Sequence, residues 1–267
     1  MPIITANGLD LSYRIDGDGP ETLVLVNGLA DDKESWEAQI PAFSERYRVI
    51  SFDNRGIGAS PTPPGPYTTA DMAGDLAGLV DALEVGRFHL LGVSMGGMIA
   101  QEYAIAHSER LLSASFCCTY SSPGPFCLRM FHCWRDLVPS LSVGFTQREV
   151  ILWAFTTDFF EQREETLIEF ENLMANNPQP ADAYLAQLHS IEHHDTRGRL
   201  AAVKCPSLTL IGEEDLIIYP KLSRRLHDEL PRSTWMETRG GHACLWEYPD
   251  EFNAAVLAFL ADVDGGS

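Results

Sequence analysis

The chain has 267 residues, with 38 Asp and Glu against 19 Lys and Arg, and a formal charge of −19 with its histidines neutral. No run of clustered Lys or Arg offsets that field, so a polyphosphate partner is repelled and nucleic-acid binding is excluded as an expectation. The 45% hydrophobic and 21% charged content excludes a disordered chain, and at this length one large α/β domain, or one domain carrying an insertion, is expected.

The N-terminal stretch MPIITANGLDLSYRID lacks the basic start and apolar run of a secretory leader, so a cytoplasmic protein is expected. No stretch approaches the roughly 20 apolar residues that span a bilayer, so no membrane partner is expected either. Short runs rich in β-branched and apolar residues then alternate with helical patterns. Strands are predicted over 10–16, 22–27, 47–53, 87–93 and 111–117, and helices over 33–46, 68–84 and 95–107. The run TLVLV is continuously apolar rather than alternating, which suits a parallel sheet covered by helices on both faces. From 121 to 195 the rhythm stops. Only helix-like stretches follow there, and 10 of those 75 residues are Phe, Trp or Tyr against 16 of the other 192. A helical cap over 121–195 is therefore expected on a core of 1–120 and 196–267. Most of these aromatics should pack the cap, and about a third should face a substrate cavity, with Trp134 and Trp153 as candidates. The alternation resumes with a strand at 206–212, a helix at 219–229, a strand at 233–238 and a last helix at 245–262.

Six cysteines in a chain of this length do not make the disulfide framework of a small secreted domain, so reduced thiols are expected. Cys117, Cys118, Cys127 and Cys133 cluster, but C-C-x8-C-x5-C lacks the paired C-x2-C knuckles of a zinc site; these thiols read as buried or pocket-lining. His193-His194 beside Asp195 offers adjacent, diverging side chains with no third ligand placed nearby. No metal and no cofactor is expected.

Chemistry concentrates at Gly92-Val93-Ser94-Met95-Gly96, where a predicted strand meets a predicted helix. A serine on so sharp a turn needs small residues two before and two after it, and Gly92, Gly96 and Gly97 meet that need. Its hydroxyl is a weak nucleophile until a histidine removes the proton, and the histidine needs a carboxylate to orient it. Asp215 follows the apolar strand SLTLI, at the carboxyl end where sites of open α/β sheets gather, while Glu213 and Glu214 read as solvated loop charges. His242 lies in the Gly-rich loop RGGHACLW; His89, His107, His132, His189, His193, His194 and His227 lie on predicted strands, helices or the cap. Ser94, Asp215 and His242 are the candidate triad. Two backbone amides suit an oxyanion: Met95, directly after the serine, and Leu29, in the loop Asn27-Gly28-Leu29-Ala30.

With these motifs the chain resembles the α/β-hydrolase superfamily over nearly its whole length. Asp53-Asn54-Arg55-Gly56-Ile57-Gly58-Ala59-Ser60 resembles that family's D-x-R-G-x-G-x-S segment, which is mainly architectural in its members. The elbow and the ending from His242 are similar to those of small bacterial esterases and β-ketoadipate enol-lactone hydrolases. The resemblance implies a mostly parallel eight-stranded sheet flanked by helices, an inserted helical cap, and a serine hydrolase that cleaves a carboxylic ester or lactone through an acyl-enzyme. Most relatives carry His-Gly where this chain has Asn27-Gly28, a change that keeps the Leu29 amide and makes Asn27 a candidate at the pocket rim.

Three alternatives stand beside this reading. A C–C bond hydrolase of meta-cleavage products ranks lower, because Val93 and Ala243 depart from the residues that group carries beside its serine and histidine. A cofactor-free haloperoxidase-like perhydrolase uses the same triad, and a slow-turnover hydrolase-like receptor keeps it. Ser94 in place of an elbow aspartate argues against dehalogenases and epoxide hydrolases. The cap carries 4 Arg against 11 Asp and Glu, so a carboxylate-bearing lactone needs a local arginine, for which Arg129 and Arg135 are the candidates. The expected partner is a small ester or lactone; a homo-oligomer is left open.

Overall fold

The computed structural model describes residues 2–176 and 178–266. Eight strands, β1 (Ile3–Ala6), β2 (Leu9–Asp16), β3 (Glu21–Val26), β4 (Tyr47–Phe52), β5 (Phe88–Val93), β6 (Leu111–Cys117), β7 (Ser207–Gly212) and β8 (Ser233–Thr238), form one sheet. Their order is β1-β2-β4-β3-β5-β6-β7-β8. The pairs β1/β2 and β2/β4 are antiparallel, and every pair from β4 across to β8 is parallel. Helices α1 (Ile40–Ser44), α2 (Thr69–Ala82) and α3 (Met95–Ala106) connect the first parallel strands. Between β6 and β7 the chain makes α4 (Pro125–Ser140), α5 (Val143–Ala154), α6 (Thr157–Gln162), α7 (Glu164–Ala175) and α8 (Ala181–Glu192). It ends with α9 (Pro220–Glu229), α10 (Cys244–Glu247) and α11 (Pro249–Gly265). Among the described residues no helix is long and apolar enough to cross a membrane.

Successive strand side chains point to opposite faces, and β3 divides accordingly. Val24 and Val26 join the core formed with α2, α3 and α9, whereas Leu23 and Leu25 join the core formed with α1 and α11. That double burial is why the strand reads as a continuous apolar run. At the head of α2 the Thr68 hydroxyl and the Asp71 carboxylate cap each other's backbone amides, an arrangement worth about 1 kcal/mol per cap.

Two predicted helices are each split in the structure, and proline is the reason both times. The stretch 33–46 becomes a 3-10 turn, Lys33–Trp36, followed by α1 with Pro41 in its first turn. The stretch 245–262 becomes α10 and α11, divided ahead of Pro249. Proline has no N–H to give the preceding turn and its ring fills the space of that turn's carbonyl, so each one begins a helix rather than continuing it. Strand β1 was not among the predicted strands. It folds back on β2 through Asn7-Gly8, whose φ values of 49° and 76° are those of a two-residue hairpin turn.

The Asp53–Ser60 segment knots the carboxyl end of β4 to its surroundings. Asp53 is fully buried and accepts from the Lys33 amide, the Lys33 ammonium at 2.9 Å and the Ala59 amide. Removing one member of such a buried pair costs about 3–5 kcal/mol, because the other charge is left without a partner. Arg55 clasps Asp75 on α2 with two hydrogen bonds, and Ser60 bridges Asp53 to β2. All six cysteines are free thiols; five are buried and Cys133 is exposed.

Candidate active site

In the order β4-β3-β5 the chain winds to one side of β3 and then to the other, so the crevice outside the carboxyl ends of β3 and β5 is the switch point where open α/β sheets bind ligands. The loop 27–31 leaves β3 there and Ser94 leaves β5. Ser94 has φ 55° and ψ −119°, a positive-φ conformation that a side-chain-bearing residue adopts only when its surroundings force it. The surroundings are Gly92 and Gly96. A Cβ on Gly96 would run into the Val26 carbonyl, and one on Gly92 into the Gly96 carbonyl, so the spacing of small residues is a packing requirement of β3, β5 and α3.

Because β5, β7 and β8 are parallel, their following loops meet at one edge of the sheet. His242 Nε2 lies 3.0 Å from Ser94 Oγ, and His242 Nδ1 lies 2.8 Å from Asp215 Oδ2. Asp215 is buried, and its other oxygen accepts the Ile217 and Ile218 amides at 2.9 and 2.8 Å. An ionised carboxylate held in this way accepts from Nδ1–H, which leaves the Nε2 lone pair facing the serine hydroxyl. Glu213 and Glu214, the two residues before it, are exposed. The structure therefore brings together the three residues that the motifs singled out.

Leu29 lines the same cavity as Ser94 and Met95 follows the serine directly, and among the described residues neither amide has an intramolecular acceptor; Met95 is the first residue of α3, where helical N–H groups are left over. Above Ser94 lies a cavity of about 80 Å³. Phe131, Trp134, Ile151, Phe155, Met174 and Ile191 line it from α4–α8, and Leu29, Ser94, Met98, Ile218 and His242 from the sheet side. Three of the ten aromatics of 121–195, Phe131, Trp134 and Phe155, face it.

Several expected contacts are absent. Asn27 is turned away from the cavity: it accepts from Trp36 Nε1 and donates to the Phe52 and Asp31 carbonyls, so it shapes the loop from beneath. Trp153 packs against Phe126 and donates to Glu149 at 2.6 Å, outside the lining. Arg129 is exposed, and Arg135 is engaged by Glu192 of α8; neither lines the cavity. None of the thiols lines it either. Arg129→Ala is accordingly expected to change kcat/KM for neutral and carboxylated substrates alike by less than about twofold, as for other exposed substitutions; a selective rise in KM for the carboxylated one would place the arginine at the site after all.

His193 and His194 part company as their adjacency implies. His193 stacks on His189, while His194 is buried between Thr69 Oγ1 at 2.9 Å and Gln101 Oε1 at 3.3 Å, and burial holds its pKa down at about 3. Two side chains at the site carried no readable signal. Glu247 accepts from the Gly241 amide at 2.6 Å and from Thr156 Oγ1 at 2.7 Å, tying the His242 loop to the segment after α5. Asp31 lines the cavity, and burial there, reinforced by the neighbouring Asp32 charge, pushes its carboxyl up to about 7.

Comparison with known proteins identifies the fold family. Residues 21–249 match the family model described as the alpha/beta hydrolase fold. The RutD protein of Yersinia enterocolitica, whose name proposes a carbamate hydrolase, is 30% identical over 245 residues, covering 90% of this chain and 87% of its own. The crystal structure of an enol-lactonase from Burkholderia xenovorans LB400 superposes with a TM-score of 0.90 at 29% identity, covering 97% of this chain and 100% of that one. A thermophilic esterase from Thermogutta terrifontis gives a TM-score of 0.88 at 27% identity, covering 98% of both chains.

Proposed function

The chain belongs to the alpha/beta hydrolase fold family, and within it we propose a serine hydrolase that cleaves compact carboxylic esters or lactones through an acyl-enzyme intermediate. The observation that carries this reading is the unbroken relay Ser94–His242–Asp215 at the floor of an apolar cavity. Ser94 Oγ attacks the carbonyl carbon while His242 Nε2 takes its proton. The carbonyl oxygen becomes an anion between the Leu29 and Met95 amides, each such donor contributing about 3 kcal/mol. His242 then returns the proton to the departing alkoxide, the C–O bond breaks, and the acyl group remains on Ser94. Water, deprotonated by the same Nε2, repeats the sequence and releases the acid. Asp215 holds the ring and balances the imidazolium in both halves. The helices α4–α8 act as the cap that sets the size of the acyl group.

The cavity volume and its lining favour short acyl groups without a carboxylate; no arginine faces the site to receive one. A carbamate carbonyl presents the same electrophile to Ser94, and the likeness to RutD puts carbamates on the test panel. That panel consists of aryl esters of increasing chain length, simple lactones, aryl carbamates and a C–C cleavage substrate, with Ser94→Ala as the control. Turnover of short esters or lactones that falls with chain length and vanishes in the control is the expected result. Turnover of the C–C substrate alone would replace the reading.

A further inference from the structure

Asp31 has no part in the relay. It stands in the loop that carries Leu29, half-buried, with its carboxylate among the residues that line the cavity. A methyl group placed on Gly28 would stand 2.7 Å from Asp31 Oδ2 and 3.6 Å from Ser94 Cβ, so carboxylate and nucleophile border the same space. The other polar lining groups near it are Ser94, Gln147 and His242; the rest of the wall is aliphatic, aromatic or thioether.

Among the described residues nothing donates a hydrogen bond to the Asp31 carboxylate and no cation pairs with it. The charged neighbours are already committed or of the wrong sign. Lys33 is turned inward to Asp53, Asp32 caps the Glu34 amide and repels Asp31, and His242 faces Asp215 and Ser94. A carboxylate in an apolar chamber is costly without a partner, and this one stands in the wall of the cavity that holds the nucleophile. A cation arriving from outside supplies what the chain does not. Phe131, Trp134, Phe155 and Trp246 line the same chamber, and aromatic faces favour an ammonium. The formal charge of −19 draws cations toward the molecule at long range.

We propose that Asp31 selects amine-bearing substrates, esters or lactones whose ammonium group lies a few bonds from the scissile carbonyl, and excludes those with a carboxylate there. This rests on the serine-hydrolase reading and names its substrate class. The carboxyl titrates in the working range, so the selection has a direction: as pH rises through about 7 the group ionises and the attraction for a permanent cation grows.

The test compares three aryl esters of similar size: trimethylammoniobutyrate, its neutral tert-butyl isostere, and hydrogen adipate. The readout is the ratio of kcat/KM for each charged ester to that of the neutral one, which cancels every pH-dependent step common to all three. In the wild type the cationic ratio is expected to rise with pH through about 7. Asp31→Asn, the same shape without the charge, is expected to lower the cationic ratio at least tenfold, raise the adipate ratio at least tenfold and flatten the pH dependence. Asp31→Ser should do the same, and inhibition by butyltrimethylammonium, measured against the neutral ester, should weaken at least tenfold in both. Ratios unchanged by substitution, or flat with pH in the wild type, overturn the assignment while the hydrolase reading stands. Failure of the wild type to hydrolyse the neutral isostere or any ester of the panel removes the hydrolase reading and this assignment with it.

Discussion

Ser94→Ala is expected to lower kcat for ester hydrolysis by at least about 10⁴-fold while shifting Tm by no more than about 3 °C. The hydroxyl is the one oxygen within reach of His242 Nε2 in the described site, and no cysteine or threonine lines the cavity to replace it. What survives in the variant is the oxyanion pocket and substrate binding, which leave about 10³–10⁴-fold catalysis over water and so a rate far below that of the intact relay. The fold has no stake in the oxygen. The turn is held by Gly92, Gly96 and the Ser94 amide's bond to the Cys117 carbonyl at 2.9 Å, and Ala makes the same backbone contacts at the same positive φ. Labelling by a fluorophosphonate should disappear with activity, since that reagent needs the nucleophile and its base together. A variant that kept more than a tenth of wild-type kcat with an unchanged melting curve would move the nucleophile elsewhere.

The elbow was legible because its glycines answer a local demand. Gly92 and Gly96 are where they are because β5 and α3 must approach β3, and that demand is written within five residues. Asp215 was separable from Glu213 and Glu214 by its place after an apolar strand, and the structure buries it while leaving the other two in water. The inner strands β3, β5, β6 and β7 follow from double burial, which leaves the same apolar trace in any parallel sheet. The split helices were also written in the chain, at Pro41 and Pro249, and the first hairpin at Asn7-Gly8; the rules for proline and for Asn-Gly turns cover all three.

Side-chain direction was not legible. Asn27 shares a loop with Leu29, yet it points down at Trp36 and the end of β4, contacts that no spacing announces. Trp134 and Trp153 sit on neighbouring helices and donate to opposite oxygens of one glutamate, Glu149; one ring lines the cavity and the other does not. Their fates are decided by how α4 and α5 pack. Glu247 matters through Thr156, 91 positions away, and Asp31 through the cavity that distant elements close around it, and a carboxylate in a loop or short helix reads as a solvated charge until those surroundings are in view.

Asp215→Asn is expected to lower kcat about 10⁴-fold with little loss of stability, and the reason is the direction of hydrogen bonds rather than the missing charge alone. Asp215 accepts at both oxygens, from the Ile217 and Ile218 amides on one side and from His242 Nδ1 on the other. Asparagine has one acceptor and one donor end. Its oxygen must stay on the two backbone amides, since the reverse orientation would set its own N–H groups against theirs. The NH2 then points at His242, and Nδ1 has to accept. The ring's proton moves to Nε2, where it faces Ser94 Oγ, and the lone pair that should deprotonate the serine is gone. Both backbone bonds and the volume of the side chain are retained, so Tm should fall by only a few degrees. Imidazole nitrogen shifts should report protonation at Nε2 in the variant and at Nδ1 in the wild type. Glu214→Gln, at an exposed position of the same loop, should keep kcat within about twofold. A loss under tenfold in Asp215→Asn, or an equal loss in Glu214→Gln, would show that the carboxylate does not set the tautomer of His242.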